Sequence, residues 1–363
     1  MICAPAQETI YRCVTVLRDP PGKLDNQRVI RNGIIKDSVI LGYNASGKTN
    51  LGLAMMDIIV HLTNEKWSRG SGIFYLNLCN HDVVVSFAYT FKFGSYVLEY
   101  AYEKNQEHVI RETVKIDGKK VIVNDREICF VNLRGAENLN LNNWDQSISL
   151  VRYVYANTIL DKEDKDCLVF LEFMNFVNQM VWISSTEGLK SLGVDLSGGN
   201  LLGTICRMEN GVKDLEAFLR DAGLEFRLVA RDKGEGETIY CQMGGKEVLF
   251  SPLMSSGTKS LVFLFLWYMR RKYLSFIFID EFDAFYHTDL SITVIEKLLR
   301  EEHIQVVFTT HNSDVISNEL LRPDCYFILT DNMIQPFCNL TDKALREAHN
   351  LQKMYKAGAF YGK

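Results

Sequence analysis

The chain has 363 residues, of which 47% are hydrophobic and 23% charged, with a formal net charge of −5. That balance is typical of a soluble globular protein; it argues against a largely disordered chain and offers no global attraction for nucleic acid, which needs clustered Lys and Arg. The nine cysteines include no CxxC spacing, so neither a zinc site nor a disulfide framework is expected, and reduced thiols in a cytoplasm are the simplest account.

Met1 to Arg18 has no signal-peptide pattern, and Pro20-Pro21-Gly22 reads as a loop. Asp37–Leu41 is a short buried strand, Gly42–Thr49 a glycine-containing loop, and Asn50–Leu62 an apolar helix. From Ile73 to Val123 β-branched and aromatic residues alternate with polar ones, with a hairpin signal at Asp117-Gly118, which predicts an antiparallel sheet. Asp161–Ala222 reads as helical, with Leu168, Leu171, Phe173, Phe176 and Met180 as one core stripe and Leu215, Phe218 and Leu219 as another. Short strands are expected at Glu225–Ala230 and Thr238–Met243, joined by the loop Asp232–Glu237. Helix, strand, helix and strand then follow at Lys259–Arg271, Leu274–Asp280, Leu290–Glu302 and Gln305–Thr309, an alternation that implies parallel strands with crossover helices. Leu261–Met269 and Phe276–Ile279, the longest apolar stretches, are too short to span a bilayer. Arg270-Arg271-Lys272 reads as a solvated helix end rather than a DNA site.

Gly42-Tyr43-Asn44-Ala45-Ser46-Gly47-Lys48-Thr49 matches G-x-x-x-x-G-K-[ST] between a strand and a helix. The bare pattern arises by chance in on the order of one chain in a hundred of this length, and the strand–helix context narrows that further. Backbone N–H groups there point at phosphates and the helix dipole favours their charge. The expected ATP ligands are Gly42, Asn44, Ser46, Gly47, Lys48, Thr49 and Asn50, with Thr49 also on Mg²⁺. Phe276–Asp280 is an apolar strand followed by Glu281, and two acids there have no packing reason. Asp280 is expected to hold the Mg²⁺ shell and Glu281 to act as general base on water. His311, just beyond the buried strand Gln305–Thr309, is expected beside a γ-phosphate. Ser255, Ser256, Gly257 and Thr258 open an apolar helix as an N-cap and as a second anion cradle.

In this order the four pieces resemble the ABC-type ATPase superfamily, nearest to structural-maintenance-of-chromosomes (SMC) heads, RecF-like proteins and the overcoming-lysogenization-defect (OLD) family. Met254–Lys259 resembles the ABC signature in its OLD-like form, Asp280–His287 a Walker B and D-loop, and His311 a switch histidine. Leu345–Phe360 is similar to the tail of ABC-like ATPases from phage-defence operons. The resemblance implies an α/β P-loop NTPase: an ABC-type head with an antiparallel β subdomain and a helical signature lobe. It divides into three stretches of one composite domain: 1–155 with Walker A and the β insertion, 156–258 ending in the signature, and 259–363 with Walker B and the switch. It further implies a head-to-tail homodimer or higher homo-oligomer in which Ser255–Thr258 of one copy complete the ATP site of the other.

The sequence departs from the family in having no clear Q-loop glutamine, Gln146 and Gln179 both being poor candidates, and no evident adenine-stacking motif before Gly42. The stretch after His311 is too short for a Toprim nuclease domain, there is no zinc hook, and there is no room for a long coiled-coil arm. The expected function is therefore an ATP-hydrolysing, cytoplasmic regulator or scaffold of a separate effector, a nuclease or toxin, in bacterial antiphage defence. A RecF/SMC-like DNA-repair or DNA-clamping ATPase is the alternative; nucleic acid is not indicated by charge, and a transporter ATPase fits less well.

Overall fold

The computed structural model describes residues 30–31, 34–63, 84–185 apart from Gln106, Arg126 and Asn143, 190–193, 200–330 apart from Lys233 and Glu235, and 333–360 apart from Ala344 and Glu347. The expected loop at Pro20-Pro21-Gly22 and the expected strand residues from Ile73 to Val83 lie outside them. The described residues form two compact units, one of Asn50–Met180 and the other of the residues up to Thr49 together with those from Val181 onward.

Among the described residues the first elements are β1 (Ile30–Arg31), β2 (Ile34–Ile35) and β3 (Asp37–Leu41), and β3 is buried along its whole length. Helix α1 (Lys48–Leu62) follows and leads into the first unit. There β4 (Val85–Phe93), β5 (Tyr96–Lys104), β6 (Val109–Ile116), β7 (Lys119–Asn124) and β8 (Cys129–Val131) form a five-stranded antiparallel meander in sequence order. Alternation dictates it: on β5, Leu98, Tyr100 and Tyr102 are buried while Val97, Glu99 and Ala101 are exposed. The turn after β6 places Asp117 and Gly118 at φ of 47° and 79°, the paired positive values that a twisted two-residue hairpin requires.

Two helices complete this unit, α2 (Leu150–Asn157) and α3 (Lys165–Asn178). Glu112, fully buried on β6, accepts hydrogen bonds from Tyr100 Oη, Ser149 Oγ and the backbone N–H of Leu150, at 2.6 Å for the last. Its carboxylate thereby closes the N-terminus of α2. Burial pushes its pKa up, but the His61 imidazole 3.4 Å away and the hydrogen bonds from Ser149 and Tyr100 outweigh that and hold it below the usual value.

The second unit continues with β9 (Met180–Ser184), β10 (Lys190–Gly193), α4 (Leu201–Arg207) and α5 (Gly211–Asp221). A three-stranded antiparallel sheet, β11 (Leu228–Asp232), β12 (Glu237–Met243) and β13 (Lys246–Leu249), leads through α6 (Phe250–Leu253) into α7 (Ser256–Met269). Then come β14 (Phe276–Asp280), α8 (Thr288–Leu299), β15 (Gln305–Thr310), β16 (Tyr326–Thr330), β17 (Met333–Pro336) and α9 (Leu351–Lys356). The main sheet has seven strands in the order β10-β9-β14-β15-β3-β16-β17. β14, β15, β3 and β16 are mutually parallel, as the helix–strand alternation predicts.

The helical reading of Asp161–Ala222 is corrected. Met180–Ser184 is a fully buried strand of the main sheet, and the helical stretch breaks at Gln179. An all-buried run of five residues carries no alternation, so periodicity alone does not separate it from a helix. On α3 the buried face is Cys167, Phe170, Phe173, Met174 and Val177, whereas Leu168 is 44% exposed. The stripe at Leu215, Phe218 and Leu219 is buried as expected. The stretch 156–258 holds strands β9 to β13 beside its helices.

Candidate nucleotide-binding site

Leu41, Asp280 and Thr310 are the last residues of β3, β14 and β15, three parallel strands with β15 in the middle. Thr310 pairs with Leu41, and Ile279 with Phe308. The loop after β3, the acids after β14 and His311 after β15 therefore emerge at one carboxyl-end edge of the sheet, where open α/β folds gather ligands.

Gly42–Thr49 turns tightly there. Ala45 and Gly47 have φ of 65° and 96°, and Ser46 N donates to Tyr43 O at 3.1 Å. A Cβ on Gly42 would lie 2.5 Å from Ser46 Oγ and 3.1 Å from the Leu329 carbonyl oxygen, so the position admits no side chain. Lys48 is buried, and its Nζ donates to the Gly42 and Tyr43 carbonyls at 2.9 and 3.1 Å. Burial lowers its pKa, while Glu281, Asp280 and Asp283 pull the other way. The first turn of α1 has no acidic residue, so its dipole is not neutralised from within. Asn44, within the loop, and Asn50, just after it, are exposed.

Asp280 collects two hydroxyls: Thr49 Oγ1 donates to Oδ2 and Thr309 Oγ1 to Oδ1, each at 2.7 Å. The Thr309 oxygen also accepts from the Glu281 backbone N–H at 2.8 Å. Burial raises the Asp280 pKa; both hydroxyls and Lys48 oppose the rise and Glu281 adds to it. Glu281 sits at φ of 46°, a left-handed conformation uncommon outside glycine. Thr310 repeats the arrangement one residue on, donating to Asp283 Oδ2 and accepting from Asn312 N, both at 2.8 Å. His311 lies between these anchors with its side chain exposed.

Ser255 caps α7, its Oγ accepting from Thr258 N at 3.1 Å and lying 2.9 Å from Thr258 Oγ1. These hydroxyls engage one another rather than Gly42–Thr49, and Ser255 and Ser256 are exposed. A Cβ on Gly257 would come within 2.8 Å of the Phe285 carbonyl oxygen, so the loop after Glu281 runs directly against the start of α7.

The donor set fits a magnesium nucleotide. Ser46 Oγ is buried in the loop with no hydrogen-bond partner. Thr49 and Asp280 supply the one hydroxyl and one carboxylate with which a hard, phosphate-bridging cation is commonly held. No cluster of three or more His, Cys, Asp or Glu suited to a metal occurs among the described residues.

Residues 199–317 match the protein family described as "AAA domain, putative AbiEii toxin, Type IV TA system". The matched span contains Ser255–Thr258, Asp280, Glu281 and His311, and the sheet register sets that span beside the Gly42–Thr49 loop. The chain is also similar to an SMC head solved with the C-terminal winged-helix domain of ScpA, at 14% identity and TM-score 0.44 over 82% of this chain and 88% of that one. It is similar as well to the SMC head domain from Thermotoga maritima, at 16% identity and TM-score 0.40 over 83% of this chain and 90% of that one. No curated protein sequence matches it. Among the described residues, no helix is long and apolar enough to cross a membrane.

Sequence reading passed over Thr309 and Thr310 as site residues. Two adjacent hydroxyls ending an otherwise apolar strand, Val306-Val307-Phe308-Thr309-Thr310, are the available signal, because a buried hydroxyl needs a partner. Neither glutamine weighed for the Q-loop gains support as a ligand: Gln179 Nε2 donates to Asn175 on its own helix, and Gln146 O accepts from Val109 N.

Proposed function

We propose that this protein binds and hydrolyses ATP with Mg²⁺, dimerises around it, and through that cycle regulates or scaffolds a separate effector in bacterial antiphage defence. Asp280 carries the reading: one carboxylate joins the phosphate loop through Thr49 and the switch strand through Thr309. Gly42, Ser46, Gly47, Lys48 and Thr49 would cradle the phosphates, with the exposed Asn44 within the loop and Asn50 just after it. Thr49 and Asp280 would hold the cation, which when bound neutralises charge developing on the phosphates. Glu281 would orient and deprotonate water, and His311 would contact the γ-phosphate.

The exposed Ser255 and Ser256 at the start of α7 support a second copy as their client, since they do not serve their own chain's loop. A toxin named in the matched family's description supports a toxin–antitoxin or defence setting. The effector would be a separate nuclease or toxin, and the cytoplasm is the expected compartment.

The test is the light-scattering mass of the Glu281→Gln protein with and without Mg²⁺-ATP, beside a gel shift on duplex DNA. An ATP-dependent dimer or higher assembly without DNA binding is expected. DNA binding that weakens steeply with salt would instead favour a repair or clamping ATPase, and a mass unmoved by ATP would remove the dimer.

A further inference from the structure

The segment after His311 is held from two sides. On the sheet side, Asn312 N donates to Thr310 Oγ1 at 2.8 Å. On the other, Asp314 N donates to Asn312 Oδ1 at 2.9 Å, and Asp314 Oδ1 accepts from Gln352 Nε2 and Lys356 Nζ, both at 2.7 Å. Gln352 and Lys356 are four residues apart on α9 and share one face of it. A hydrogen-bonded chain thus runs from α9 through Asp314, Asn312 and Thr310 to Asp283, with His311 inside it. A second tie lies one turn on, where Asn318 Nδ2 donates to His349 O at 2.6 Å.

Helix α9 does not stand by itself. Six residues are far too few for an isolated helix in water. It is fixed by apolar anchors at both ends: Leu351 is 1% and Phe360 2% exposed, and the Phe360 ring stacks on buried Phe337 with centroids 4.1 Å apart. Asn350 caps it, accepting from Lys353 N at 2.8 Å. Docking of the tail and capture of Asp314 are therefore one event.

We propose that α9 is a strap that positions the switch segment: Lys356 and Gln352 hold Asp314, and the turnover of ATP depends on that hold. The inference rests on the ATPase reading above and adds two positioning residues remote from the phosphate loop. Magnitudes decide what the strap is for. The Lys356–Asp314 pair is half-exposed, at 54% and 47%, and such solvent-screened pairs add little to stability. A shift of about 1 Å in a residue that aligns reactants can lower a rate about a hundred-fold. The strap matters for placement of His311, not for folding.

The experiment compares the full chain with the double variant Lys356→Met, Gln352→Leu, and with a charge-swapped pair, Asp314→Lys with Lys356→Asp. In the double variant, amide exchange over residues 311–318 should speed up about ten-fold. Turnover should fall about ten-fold at unchanged KM for ATP, with a melting temperature within about 3 °C of the parent. The swapped pair should recover most of the lost turnover, and Asp314→Lys alone should not. Should the double variant fold poorly, Lys356→Met alone at its exposed position serves the same comparison. Parental exchange and turnover in a strapless variant would overturn the proposal. A parent protein without any ATP turnover would sink the ATPase reading instead, and the exchange data would then decide the strap alone: unaltered exchange over 311–318 overturns it, accelerated exchange upholds it.

Discussion

The hydroxyl of Thr309 accepts from the backbone N–H of Glu281 at 2.8 Å while giving its own proton to Asp280. One oxygen on the central strand thus orients both acids that end the neighbouring strand. Thr309→Val keeps the shape and removes the relay, leaving a buried N–H and a carboxylate oxygen without this partner. Stability should drop by about 1–3 kcal/mol. ATP hydrolysis should fall at least about ten-fold with ATP affinity nearly retained. Thr309→Ser should behave like the parent, and chemical denaturation beside steady-state kinetics checks both. Parental turnover in the valine variant would show that the relay does not matter.

Glu281 holds a positive φ that glycine adopts without strain. A non-glycine residue there costs about 1 kcal/mol. Glu281→Gly should therefore raise stability by no more than about 0.6 kcal/mol, since about 0.4–1 kcal/mol of the relief is offset by the greater freedom of unfolded glycine. The same change should abolish hydrolysis. A glycine variant that is both less stable and inactive would mean that the carboxylate, rather than the backbone, dominates the energetics of this turn.

Glu112 is buried and satisfies Tyr100, Ser149 and the first N–H groups of α2. Glu112→Ala leaves these donors unpaired, and a loss of about 3–5 kcal/mol is expected. Because α2 loses its closing acceptor, amide exchange at Leu150 and Val151 should accelerate first. Loss of stability without that local signature would point to cavity formation instead.

Asp37 predicts a pH dependence. Burial pushes its carboxyl up to about 6, against a weaker opposing pull from Lys36, and its Oδ1 has no hydrogen-bond partner. A folded-state pKa above the unfolded value means that the native chain binds the extra proton. The associated stability is present below about pH 4 and is lost as pH rises through about 6, amounting to about 3 kcal/mol. Burial raises Asp280 and Asp283 as well, so they act in the same direction. Denaturation midpoints should fall between pH 4 and 7, and Asp37→Asn should flatten that slope. A slope of the opposite sign would show that the Lys36 ion pair outweighs burial.

The phosphate loop was legible because its chemistry is local: Gly42, Gly47, Lys48 and Thr49 are contiguous, and the strand before them and helix after them follow from adjacent residues. Asp280-Glu281, His311 and Ser255–Thr258 were legible for the same reason, as chemically costly residues at the ends of apolar runs. The gathering of Gly42–Thr49, Asp280, Glu281 and His311 at one sheet edge was inferred only through the helix–strand alternation. Strand order was settled by packing, which set β15 between β14 and β3 and so made Thr309, rather than any residue of the phosphate loop, the neighbour of Glu281. Met180–Ser184 was misread because a strand buried on both faces has no polar face to betray its period. Residue order along the chain determined which groups could meet a phosphate; hydrogen bonds between strands far apart in sequence decided how those groups are aimed, since a side chain's neighbours across a sheet are fixed by register and not by position in the chain.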